Sequence, residues 1–164
     1  DSIAPEVLEY YENSGIPVER YQPEKDATDT RIGLELALKL KSREIFLLGA
    51  TGGRLDHYIA NLKSLLIPLE QGVQTWILDS QNVITVLDHG IKISREQQFG
   101  KYISFFSMGD KAEGITLAGF KYPLKNFTMV NSDEIGVSNE LIEDMGEITF
   151  RSGIILMIMS KDRN

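Results

Sequence analysis

One stretch limits what this chain can fold into more than any other: Glu44-Ile-Phe-Leu-Leu-Gly-Ala-Thr-Gly-Gly-Arg-Leu-Asp-His-Tyr58. Ile45 to Leu48 is a short apolar run with the length of a buried strand. It breaks at Gly49, passes through Thr51, Gly52 and Gly53, and enters an amphipathic helix pattern with the stripe Ile59, Leu62, Leu66 and Leu69. Strand, glycine turn and helix start, in that order, form an anion site. Glycine lets the backbone come close to a ligand, and the first free N–H groups and the positive end of the helix dipole face it. Arg54 adds a planar fork of donors suited to phosphate, and Asp56 and His57 sit in the first turn, placed to orient a metal-bound or phosphate-bound group. A plainer reading also fits: Gly49 and Gly52-Gly53 turn the chain, and Asp56 caps the helix.

The elements around this stretch set the fold class. Pro5-Glu-Val-Leu-Glu-Tyr-Tyr11 reads as a helix with proline near its first turn, ending at Asn13-Ser-Gly15. Val18-Glu-Arg-Tyr21 is a strand candidate. A helix this close to the start needs something to pack on, so a preceding strand, missing here or disordered, is expected. The polar loop Gln22 to Thr30 leads into a helix over Arg31 to Lys41 with Thr28 or Asp26 as its N-cap. Its apolar residues lie on more than one side, which predicts burial against a sheet. Gly72 to Asp79 gives a further strand ending in an acid. This alternation predicts an α/β N-terminal domain over residues 1–80, a parallel sheet with crossover helices that is incomplete at its start. From Val83 onward the pattern changes to short strands at Val83–Leu87, Ile91–Ser94, Tyr102–Ser107, Gly114–Leu117, Thr128–Val130, Glu147–Phe150 and Ile154–Met159. Turn residues separate them, which predicts an all-β sandwich domain over residues 81–164, with the boundary near Ser80-Gln-Asn82.

The 164 residues suffice for one ordinary domain or two small ones, and 42% hydrophobic with 25% charged residues is a globular balance. A formal net charge of −7 argues against a nucleic-acid partner. The sequence has no apolar run of bilayer length and no signal-peptide pattern, and it has no cysteine, which together point to a cytoplasmic protein without disulfide or thiolate chemistry. Two histidines and no cysteine make a zinc site of the common kind a poor fit, and no Ser/His/Asp set stands at a recognisable spacing. Lys25, Asp26 and Asp29 around Thr28 exceed what capping needs, and two carboxylates so close repel unless a cation or Arg sits between them. Gly136-Val-Ser-Asn-Glu140 reads either as an Asx or Ser turn or as a side-chain clamp for a small polar ring.

Taken in order, Lys25-Asp-Ala-Thr-Asp29, Gly49-Ala-Thr-Gly-Gly-Arg-Leu-Asp-His57 with Ala60-Asn61-Leu62, Gly119-Phe-Lys-Tyr-Pro-Leu124 and Gly136-Val-Ser-Asn-Glu140 resemble the motifs of bacterial thiamin pyrophosphokinase. Asp1-Ser2 is similar to the last two residues of that family's Gly-Asp-Phe-Asp-Ser motif, whose first part and upstream nucleotide loop are absent here. The resemblance implies an α/β domain followed by a β-sandwich in a homodimer with shared active sites. It implies transfer of the terminal diphosphate of ATP to the thiamin hydroxyl with Mg²⁺, leaving AMP. Asp1, Asp26 and Asp29 are the implied metal ligands, and Asp29, Arg54 and Asp56 the implied catalytic residues. Lys25, Thr28, Gly49, Thr51, Gly52, Gly53 and His57 are implied at ATP. Ser138 and Asn139, with Gln22, are implied at the thiamin ring. Two other readings stand beside it. Gly49-Ala-Thr-Gly52 with Asp79 at the end of the next strand is also how a nicotinamide-dinucleotide fingerprint begins, although Leu55 takes the place of its third glycine. A nucleotide-binding module without catalysis is the third.

Overall fold

The structure, a computed structural model, describes residues 3–20 and 28–163. Proline in the first turn opens α1 (Pro5–Asn13), and the Thr28 hydroxyl caps α2 (Asp29–Lys39) by accepting the Arg31 N–H at 3.2 Å. Then come β1 (Glu44–Leu48), α3 (Leu55–Ser64), the single turn α4 (Leu66–Leu69) and β2 (Gln74–Leu78). The remainder is β3 (Asn82–Leu87), β4 (Ile91–Ser94), β5 (Tyr102–Ser107), β6 (Lys111–Ala118), β7 (Leu124–Val130), β8 (Met145–Thr149) and β9 (Ile155–Ser160). Val18 to Arg20 form no strand.

The strands make a five-stranded sheet in the order β1-β2-β3-β9-β5 and a four-stranded sheet in the order β4-β8-β6-β7. Among the described residues only β1 and β2 run parallel, in register from Glu44 opposite Gln74 to Leu48 opposite Leu78, with α3 and α4 as the crossover. The parallel pattern stops there for a local reason. Asp79 to Gln81 is too short for a crossover, and Asp79 folds it into a hairpin turn. The Asp79 carboxylate accepts the N–H groups of Gln81 at 2.7 Å and Asn82 at 2.6 Å, and its own N–H donates to the Asn82 carbonyl at 3.0 Å. The sheet expected to be parallel is therefore mixed. It continues through Ser80-Gln-Asn82 into β3, β9 and β5, and the second sheet is antiparallel throughout.

Burial follows the two-residue period of β9. Ile155, Met157 and Met159 point into a core between the two sheets, among Leu87, Ile103, Phe105, Ile115 and Ile148. Leu156 and Ile158 point the other way, into a second core with Ala50, Leu65, Ile77 and Ile84 beneath the helices. A strand paired on both sides and buried on both faces explains why Ile154 to Met159 has almost no polar residue.

Two helix expectations change. Leu65, fully buried where α3 gives way to α4, replaces Ile59, which is 52% exposed, because the buried face runs at helical spacing through Tyr58, Asn61, Leu62 and Leu65 and Ile59 lies off it. On α2 only Leu34 is fully buried, while Leu40 is 71% exposed, since the helix meets α3, α4 and β1 along one line rather than lying flat on a sheet.

Candidate functional site

The glycine turn is built where β1 ends. Gly49 adopts φ +73°, a left-handed conformation that favours glycine, and turns the chain out of the sheet. Ala50 is then buried, and its carbonyl accepts a 2.8 Å hydrogen bond from the side chain of Asn61 on α3, itself only 7% exposed. Thr51 is half-buried, and Gly52 and Gly53 are exposed with open space where a Cβ would stand. Arg54 takes the N-cap position of α3 but caps nothing with its side chain, and the acid in that first turn is Asp56.

Arg54 and Asp56 are brought together. Both are exposed, and the guanidinium grips the carboxylate with two bonds, Nη2 to Oδ2 at 2.6 Å and Nε to Oδ1 at 3.2 Å. Asp56 also accepts the His57 N–H at 2.9 Å, and the Arg54 hydrogen bond, then that backbone bond, hold its carboxyl below the ordinary value. Exposed pairs of this kind contribute little to stability and yield readily to a more highly charged anion. His57 itself is exposed. Thr28 is committed to its cap, and Asp29 stands exposed beside it in the first turn of α2. Asp1, Gln22, Lys25 and Asp26 lie outside the described residues. Among the described residues no three His, Asp or Glu side chains converge on one point, so the described residues alone do not make a divalent-cation site.

Asp79 is not available to a ribose. Partial burial pushes its carboxyl up, but the Thr51 hydroxyl facing it, the N–H groups of Gln81 and Asn82 and the Asn82 amide together hold it below its ordinary value. A carboxylate saturated by its own turn does not read a dinucleotide.

The second cluster runs along β5. Gly136 is pressed against that strand so closely that a Cβ would lie 2.1 Å from the Phe105 carbonyl oxygen. Phe105 N–H donates to the Gly136 carbonyl at 3.0 Å, and Ile103 and Asn139 exchange both backbone bonds at 2.8 and 3.0 Å. Between these fixed points Ser138 is forced to φ +53° and remains exposed, its N–H donating to Ser104 Oγ at 3.0 Å. A non-glycine residue held in the left-handed region marks a place the surrounding structure over-determines. Asn139 is 1% exposed. Its Oδ1 accepts the N–H groups of Tyr122 at 2.9 Å and Glu140 at 3.0 Å, and its Nδ2 donates to the Tyr122 carbonyl at 2.8 Å. Beside it the Glu140 carboxylate lies 2.9 Å from Lys121 Nζ and 3.5 Å from Lys101 Nζ.

The two clusters do not meet within one chain. The glycine turn leaves β1, and Ser138 borders β5, the outer strands of a five-stranded sheet, which are four strand spacings apart. At ~4.8 Å per spacing that is about 19 Å.

Residue pattern alone did not single out Asn61 as a tether. The signal was there, a polar side chain on the buried face of an amphipathic helix, but its partner is a carbonyl eleven residues earlier.

Comparison with known proteins bears on both clusters. A sequence profile described as "Thiamin pyrophosphokinase, catalytic domain" matches residues 1–77, and one described as "Thiamin pyrophosphokinase, vitamin B1 binding domain" matches residues 88–155. Thiamine pyrophosphokinase of Bacillus subtilis (strain 168) is 34% identical over 99% of this chain and 76% of its own length. Thiamine pyrophosphokinase 1 of Oryza sativa is 29% identical, and the match covers 62% of its length. The crystal structure of the Bacillus subtilis enzyme superposes with a TM-score of 0.87, covering 99% of this chain and 76% of that one. The thiamin pyrophosphokinase family protein of Enterococcus faecalis does so with a TM-score of 0.84 at 32% identity, covering 99% and 77%. With both profiles in order and a relative this similar along nearly its whole length, the chain belongs to the thiamin pyrophosphokinase family.

Proposed function

We propose that the chain transfers the terminal diphosphate of ATP to the hydroxyl of thiamin, giving thiamin diphosphate and AMP. The observation that carries the reading is the glycine turn, open above Gly52 and Gly53 and leading to an uncapped helix N-terminus, in a member of this family. The thiamin hydroxyl oxygen bonds to the β-phosphorus, the bond from that phosphorus to the α,β-bridging oxygen breaks, and AMP leaves with the bridging oxygen. Such a transfer rests on positioning and on donors aimed at the transferred group. Gly49, Thr51, Gly52, Gly53 and His57 take the phosphate side, and Lys25 and Thr28 serve the same nucleotide. Arg54 exchanges its hold on Asp56 for the transferred phosphates. The carboxylates of Asp29 and Asp56 serve the departing hydroxyl proton and the cation.

The family uses ATP with a divalent metal. Bound, that ion neutralises charge on the phosphates. In our reading it is Mg²⁺, held by Asp29 with Asp1 and Asp26, of which only Asp29 is described.

Residues 1–80 carry the ATP side and residues 81–164 the thiamin side. Ser138, in its constrained exposed conformation, contacts the thiamin ring directly, and Gln22 is the other residue we assign to it. The Asn139 amide, spent on Tyr122 and Glu140, acts there through the shape it gives the segment. The separation of about 19 Å across the sheet supports a homodimer in which each thiamin lies between the glycine turn of one protomer and the Ser138 segment of its partner. No helix among the described residues is long and apolar enough to cross a membrane, which is compatible with a cytoplasmic enzyme.

The test is nucleotide product analysis. ATP with thiamin should give AMP, and ATP alone should give none. ADP as the product, or AMP release indifferent to thiamin, would sink the proposal. Tight NADH binding in a parallel titration would favour the dinucleotide reading, and ATP binding without turnover the non-catalytic one.

A further inference from the structure

The glycine turn has two sides, and only one of them suits an anion. The peptide joining Ala50 to Thr51 is trans, so its C=O and its N–H point in opposite directions. Its carbonyl is directed into the core, to Asn61 Nδ2 at 2.8 Å, with Ala50 6% and Asn61 7% exposed. The Thr51 N–H is thereby aimed away from the core, and the two residues that follow it, Gly52 and Gly53, are exposed.

We propose that Asn61 is a positioning residue that selects this orientation, so that the turn offers the Thr51 N–H, and not the Ala50 carbonyl, to the phosphates of ATP. The inference rests on the reading of the turn as the phosphate site. Its physical basis is the competition between two peptide orientations. Without a buried donor, the Ala50 carbonyl gains by rotating outward to water, because an unpaired buried carbonyl is costly. The rotated turn would set a carbonyl oxygen against an anion and bury the N–H. Asn61 closes this alternative from inside the helix that follows the turn, and the Thr51 hydroxyl facing Asp79 fixes the same residue from the side. An asparagine in the middle of α3 is otherwise a poor choice for a helix interior.

Inorganic tripolyphosphate is the probe, titrated calorimetrically into the wild-type chain, Asn61→Leu and Asn61→Asp, with circular dichroism and thermal melts confirming a folded protein at each condition. Asn61→Leu fills the same space without a donor and should bind about ten- to a hundredfold more weakly, the worth of a hydrogen bond to a charged group. Asn61→Asp should bind weakly at neutral pH and recover relative to wild type as pH falls, because a protonated carboxyl can donate to the Ala50 carbonyl. A residue that only fills space would not produce that pH-dependent recovery. In the wild type, the Thr51 amide resonance should shift on adding tripolyphosphate, a readout that needs no variant. Wild-type affinity in folded Asn61→Leu, or an unmoved Thr51 amide with tripolyphosphate bound, overturns the inference alone. Failure of the wild type to bind tripolyphosphate overturns the phosphate-site reading, and the inference falls with it.

Discussion

Asp79 and Arg54 are both charged residues near the glycine turn, and their surroundings give them opposite roles. Asp79 is held by its own turn below its ordinary value of 3.8, the bonds from Thr51, Gln81 and Asn82 outweighing partial burial. A carboxylate depressed in the folded state contributes stability above its unfolded value, and that stability is lost as pH falls through the folded one. Asp79→Asn should therefore melt below wild type near neutral pH, with the gap narrowing once the pH drops under 3.8. A gap that stays constant through that range would show that the charge contributes nothing. Arg54 lies exposed on Asp56, with no structural task beyond that pair among the described residues. Lysine would keep the charge and lose the fork, so Arg54→Lys should lower kcat by about tenfold or more while the melting temperature holds. Unchanged kinetics would mean that the ion pair is all Arg54 does. Pattern alone marked Arg54 as a phosphate donor and Asp79 as an acid at a strand end. It could not tell that Asp79 was already saturated, because its partners come from the turn it makes.

At the scale of elements, the second half of the chain was legible almost strand by strand, from Asn82–Leu87 to Ile155–Ser160, because alternation and turn residues are local signals. Which strands pair was not legible. β3 meets β9 across nearly the whole second half, and nothing near Val83 or Ile158 in sequence announces that β3, β9 and β5 extend the sheet begun by β1 and β2. The segment over residues 136–139 is the clearest instance. Its Ser-Asn pair was visible, but the pressure that bends Ser138 comes from β5, more than thirty residues earlier. Gly136→Ala tests that pressure, since its Cβ would fall 2.1 Å from the Phe105 carbonyl oxygen. It should cost about 1–3 kcal/mol in stability and raise KM for thiamin more than KM for ATP. An equal rise in both would detach this segment from the thiamin side.

For the whole molecule, the resemblance carried by a few motifs gave the family, and the family comparison bears it out along the chain. What motifs do not contain is distance. The structure separates the glycine turn from Ser138 by the width of a sheet, and from that separation comes the central claim, that one diphosphate transfer is performed by parts of two chains. Subunit complementation tests it most directly. Asp29→Ala removes a carboxylate from the phosphate side, and Ser138→Lys sets bulk and positive charge against cationic thiamin. Each variant alone should be nearly inactive. Unfolded together, refolded and assayed with ATP labelled with ³²P at its terminal phosphate, an equal mixture should form labelled thiamin diphosphate at about a quarter of the wild-type rate, because half the dimers are mixed and each of those holds one intact site. If mixed dimers demonstrably form and the mixture stays as inactive as its parents, each chain builds its own site and the claim is wrong.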